Sequence, residues 1–240
     1  MSEETVLILA CATILDELQL AIDQTGSPFP VVLVESGLHL YPDKLKSRLQ
    51  EELDRIVNVD RVLLAFGYCG NCVVGIKPPS FTLTLPRAAD CISLLLGSSQ
   101  RRAEIQKEAQ TYFLTRGWLE HERNIYREYE GAVTRFGKER ADRLFKIILA
   151  HYKQLAVIDT EAYPLDSILG KTKAIAETFG LCHVVIPGDL SFLRTLLTGP
   201  WDEGFINVSP GETIMLETVL EDGADLGAFC QDMALGMDSQ

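Results

Sequence analysis

No run in this sequence approaches the ~20 apolar residues of a membrane span. Its start, Met1-Ser2-Glu3-Glu4 ahead of a short apolar stretch, lacks the basic residues and the length of a secretory leader. A cytoplasmic location with no membrane partner is therefore expected. Basic charge is scarce: 22 Lys and Arg stand against 34 Asp and Glu, for a net charge of -12. Such a surface repels phosphate backbones, so no nucleic-acid partner is expected. There is no Walker phosphate loop, no Gly-x-Gly-x-x-Gly after a strand-like run and no Gly-x-Ser-x-Gly. These absences count against nucleotide kinases, dinucleotide-dependent dehydrogenases and serine hydrolases. Compositional bias is absent too: 47% hydrophobic and 23% charged residues exclude disordered and fibrous classes.

What is present is a repeating alternation of apolar runs and amphipathic stretches. Residues 5–10, 31–35, 61–65, 81–85, 155–159, 182–186 and 205–208 read as strands. Residues 14–22, 42–53, 91–97, 169–179 and 191–197 read as helices, with Pro42 at the start of one and Gly180 at the end of another. This order predicts an α/β fold with mainly parallel sheets flanked by helices, arranged as Rossmann-like halves. The expected division is an N-terminal α/β half over residues 1–118, a helical connection over 119–154, a C-terminal α/β half over 155–210 and an acidic tail over 211–240. That tail is expected to wander or to dock on a neighbouring subunit, which leaves an oligomer open.

Six cysteines in a chain expected to be cytoplasmic are better read as reduced thiols than as a disulfide framework. Each taken alone is as well explained as a small buried hydrophobe. Taken together they are not scattered. Phe66-Gly67-Tyr68-Cys69-Gly70-Asn71-Cys72-Val73-Val74-Gly75 follows an apolar strand and places two thiols in a glycine-rich turn, where both sulfurs can face one metal or form one redox pair. Cys11 ends the first predicted strand and Cys91 opens the helix after the fourth. In open parallel sheets ligands bind beyond the carboxyl ends of strands. Cys11, Cys69, Cys72 and Cys91 are thus candidate ligands of Zn²⁺ or an iron–sulfur cluster.

Asn71, Arg87 and Asp90 share these loops and are the candidate cofactor-binding polar groups. Asp90 also reads as an N-cap. Arg87 and a helix N-terminus beside Cys91 are expected to lower its thiol pKa. Cys182 is expected in the core at the opposite edge, and Cys230 is expected to be incidental. Asp189 reads as a cleft residue or a helix cap, and His39 as a loop histidine or an acid–base group. Tyr112, Gly117 and Trp118 read as an aromatic loop.

A resemblance covers most of the chain to about residue 210. It rests on Leu9-Ala10-Cys11, Gly67-Tyr68-Cys69-Gly70-Asn71, the stretch from Pro86-Arg87-Ala88-Ala89-Asp90-Cys91 to Gly97-Ser98, Tyr112 to Trp118, and Gly199-Pro200-Trp201. These residues resemble the family catalogued as domain of unknown function 1638, whose members often carry a polar residue in place of Ala89. The resemblance carries over Cys11, Cys69 and Cys91, with Cys72 as an addition. It implies a link to corrinoid-dependent methyltransferases and anaerobic one-carbon metabolism. The chain lacks the Asp-x-His-x-x-Gly loop of cobalamin-binding modules, so the corrinoid itself is not the expected ligand. A small sulfur- or methyl-bearing substrate is. The rival expectations are a non-enzymatic accessory protein for such a methyltransferase system and a redox sensor using Cys69 and Cys72.

Overall fold

The computed structural model describes residues 4–38, 41–120 and 124–220. β1 (Val6–Cys11) leads through a short 3-10 turn into α1 (Leu15–Thr25), then β2 (Val31–Val34), α2 (Pro42–Arg55), β3 (Arg61–Ala65) and β4 (Thr82–Pro86). α3 (Cys91–Leu95) and α4 (Ser99–Glu108) carry the chain to β5 (Thr111–Leu114) and α5 (Arg116–Glu120). The helical pair α6 (Ile125–Phe136) and α7 (Lys138–Ile148) precedes β6 (Gln154–Asp159), α8 (Asp166–Phe179), β7 (Cys182–Pro187) and α9 (Ser191–Thr198). β8 (Phe205–Val208) and α10 (Leu216–Leu220) end the described chain.

Two sheets result, with strand orders β2-β1-β3-β4-β8 and β5-β6-β7. All pairings are parallel except that of β4 with β8. β1 and β3 are near-continuous apolar runs, as strands buried on both faces of a parallel sheet are, whereas β4 alternates Thr and Leu. β2 is an edge, and its Val31 and Leu33 stay partly in solvent.

Three features of this architecture position the thiols. Winding proceeds from β1 to β2 on one side, then jumps across β1 to β3. The topological switch therefore lies between β1 and β3, the place where open α/β sheets take ligands. Register sets Ala10 opposite Ala65, so the two chains leave the sheet side by side. The crossover from β3 to β4 contains no helix. Residues 66–81 fill that role, burying Val73, Ile76 and Phe81 in the first core. α3, finally, belongs to both cores: Cys91, Leu94 and Leu95 face the first sheet's cluster, while Ile92 and Leu96 join Phe113, Ala156 and Ile158 of the second.

Two expectations are corrected. The aromatic segment is not a loop: Tyr112 lies on β5 and Gly117 and Trp118 on α5, because β6 offers a parallel edge that residues 111–114 complete. Cys182 is exposed, since it starts an edge strand with no further neighbour in its sheet. Among the described residues no helix is long and apolar enough to cross a membrane.

Candidate functional site

The loop that leaves β3 is zipped to the loop that leaves β4. Tyr68 N donates to Ala88 O at 2.8 Å and Cys69 N to Ala89 O at 3.0 Å. Such an approach needs glycine at position 67, where a Cβ would stand 2.6 Å from the Asp90 carbonyl oxygen and closer still to its Cα. Beyond it the backbone turns left-handed at three successive residues, Cys69 (φ 40), Gly70 (φ 67) and Asn71 (φ 67). Two of these are not glycine, a conformation that costs on the order of 1 kcal/mol each and collects at functional sites. The turn swings Cys69 back toward Cys91, with their sulfurs 4.0 Å apart. Two thiolates on one Zn²⁺ at about 2.3 Å would stand about 3.8 Å apart.

The thiols continue as a line of contacts. Cys11 Sγ lies 2.6 Å from Thr13 Oγ1 and hydrogen-bonds Cys91, and Cys69 hydrogen-bonds Cys72. Cys69, Cys72 and Cys91 are buried, while Cys11 is partly open. The sulfurs touch in sequence rather than around one point, and among the described residues no three His, Cys, Asp or Glu side chains form a ready-made metal-ligand set.

The electrostatics correct the expectation of an activated thiolate. The hydrogen bond to Cys91, then burial, raises the Cys11 pKa. The bond to Cys72 and burial raise Cys69, and the Asp90 carboxylate adds to the rise. Cys91 is lowered by accepting from Cys11, but its bond to Cys69 and burial outweigh that and leave it well above the ordinary thiol range. Without a cation these are protonated thiols and weak nucleophiles. Arg87, whose Nη1 donates to the Thr218 carbonyl at 3.3 Å, is not among the groups that set the pKa of Cys91.

Asp90 caps α3 by accepting from Ser93 N at 2.7 Å and pairs with Arg102 at 3.1 Å in a nearly solvent-free setting. Its carboxylate is committed to structure. Asn71 Oδ1, in contrast, is buried without a hydrogen-bond partner. A buried acceptor in that state invites a donor from water or ligand. Asp189 accepts from Ser191 N at 2.8 Å and serves the start of α9. Cys182 stands apart from the thiol line, and His39 and Cys230 lie outside the described residues.

One titratable group beside the site has no signature in the sequence. Asp16-Glu17 reads as ordinary acidic charge in the first turn of a helix. Yet Glu17 is fully buried, accepts from Thr160 Oγ1 at 3.0 Å, and leaves Oε2 without a partner. Burial pushes its pKa up to about 7. The neighbours that bury it, α9 packed on α1 and Thr160 after β6, come more than a hundred residues later, and no local pattern announces it.

No match is found among the curated proteins or the solved structures. A family's sequence model, described as Protein of unknown function (DUF1638), matches residues 33–197, a span that includes Cys69, Cys72 and Cys91 and begins after Cys11. That span is more than half of the chain, and the protein belongs to this family.

Proposed function

We propose that Cys11, Cys69 and Cys91, with Cys72 alongside, take a soft metal ion or an iron–sulfur cluster. The observation that carries this reading is the 4.0 Å separation of Cys69 and Cys91, two sulfurs from the separate loops that leave the neighbouring strands β3 and β4. Sulfur donors select zinc or iron–sulfur centres. A bound cation reverses the protonation described above, since the ligands lose their protons as metal enters. Cys11 is the third donor of the set, since its thiol interacts with that of Cys91. Three thiolates leave one position for a small substrate bearing sulfur or a methyl group, the type of compound handled in anaerobic one-carbon metabolism.

The test is iron, zinc and acid-labile sulfide content, with an absorption spectrum, on protein purified without oxygen. Iron and sulfide near cluster stoichiometry, lost in Cys69→Ser, support the cluster. Zinc alone redirects the reading to Lewis-acid or thiolate-alkyl chemistry. Protein that stays free of metal after reconstitution overturns it.

A second reading has one specific observation in its favour. The contact between Cys69 and Cys91 makes them a dithiol pair as credible as Cys69 and Cys72. Two-electron oxidation by a disulfide donor would join two sulfurs, release both thiol protons and reduce the donor to two thiols. A reversible titration of metal-free protein, followed by mapping of the bond formed, separates the pairs. An accessory role beside a methyltransferase predicts instead a stoichiometric partner and unaltered function when the cysteines are replaced.

A further inference from the structure

The carboxyl edges of the two sheets meet at a point that the thiols do not explain. α1 reaches it from β1, while α5 and the turn after β6 reach it from the second sheet. Gly117 of α5 lies so close to the Thr13 carbonyl oxygen that no side chain fits there. One helical turn further, Glu17 meets Thr160.

The charged and titratable groups around Glu17 are accounted for. Asp16, on the same helix, receives both Nε and Nη2 of Arg116, at 2.8 and 2.5 Å. Tyr163, from the segment after β6, lies under that guanidinium at 4.7 Å, and its hydroxyl accepts from Arg116 N at 2.9 Å. Arg116 thus bonds Asp16 directly and acts on Glu17 only through space, where burial outweighs it. Thr160 donates to Oε1, which leaves the proton of a neutral carboxyl on Oε2, the oxygen that is buried and unpartnered. A buried carboxylic acid with an unused donor, beyond the carboxyl ends of parallel strands, fits a binding role better than a packing one. Burial keeps this group protonated up to about pH 7.

We infer that the junction is a small-molecule site in which Glu17 donates from Oε2 to a carboxylate or carbonyl oxygen of the ligand, while Thr160 continues to hold Glu17 Oε1. The inference requires no metal at the cysteines, so metal-free protein can test it, and its failure leaves the metal reading standing.

The experiment follows the Glu17 carboxyl carbon by NMR in protein carrying δ-¹³C glutamate, assigned with Glu17→Gln, during titration with acetate and separately with acetamide. The expected result is a midpoint near 7 in free protein that acetate moves upward, with acetate affinity falling about tenfold per pH unit above that midpoint. Glu17→Gln keeps a donor and binds with no pH dependence, while Glu17→Ala loses binding. A response to acetamide but not acetate assigns the carbonyl class. A Glu17 resonance that titrates in the ordinary carboxylate range, or one that neither probe moves, overturns the inference.

Discussion

Gly67 and Asp90 touch backbone to backbone, and this contact joins the loop after β3 to the loop after β4. Because the clash partner is main chain, no rotamer change relieves it. Gly67→Ala should lower stability by about 2–4 kcal/mol. It should also separate Cys69 from Cys91. Urea denaturation checks the first effect. The yield of a Cys69–Cys91 cross-link with a short bifunctional reagent checks the second, and unchanged yield would mean the contact does not set the sulfur spacing.

Burial and mutual hydrogen bonding leave Cys11, Cys69 and Cys91 protonated near neutrality. Among the cysteines of the described residues, a brief pulse of iodoacetamide on native metal-free protein at pH 7.5 should therefore label the exposed Cys182 first and Cys11 next, with the buried thiols last. Labelling of Cys11 should still be accelerating past about pH 9. Rapid modification of Cys91 at neutral pH, mapped by peptide mass spectrometry, would contradict the raised pKa.

The sign for Glu17 runs opposite to that of a salt-bridged acid. Its folded pKa of about 7 lies above the unfolded value of about 4.3, so the folded state holds the proton more tightly. Stability associated with Glu17 is present below pH ~4 and is lost as pH rises to 7, a difference of about 3 kcal/mol. Glu17→Gln should be close to wild type near pH 4 and more stable by up to that amount at pH 8. Denaturation midpoints across this range test it, and a pH-independent difference would refute the assignment.

Asp90 pairs with Arg102 where little solvent reaches. Asp90→Asn preserves the cap on α3 but removes the carboxylate charge that faces the buried Arg102 guanidinium, which should cost about 3 kcal/mol. Chemical denaturation gives the number. Full stability combined with loss of bound metal would return Asp90 to the role of a cofactor ligand.

The sequence predicts most strands because their apolar runs are local facts. Residues 111–114 escaped because four residues followed by Arg116-Gly117-Trp118 carry no period of their own and become a strand only against β6. The thiol loops were legible as glycine and cysteine punctuation. Which of those loops lie side by side was not, because strand order is a non-local outcome. The failed expectation about Arg87 has the same origin. Proximity along the chain suggested a cation beside Cys91, but the guanidinium bonds to a carbonyl more than a hundred residues later, at Thr218. Glu17 was hidden because the residues that cover it, on α9 and at Thr160, come well over a hundred positions after it in the chain.

α3 is a five-residue helix gripped by two cores. A helix of that length has almost no stability in isolation. It exists because the two sheets hold it, and Cys91 takes its place only after both have formed. The thiol line is therefore a late product of assembly. If the proposed metal binds, the thiol set that receives it is complete only when both sheets hold Cys91, so metal uptake by refolding protein should lag behind the burial of Cys91.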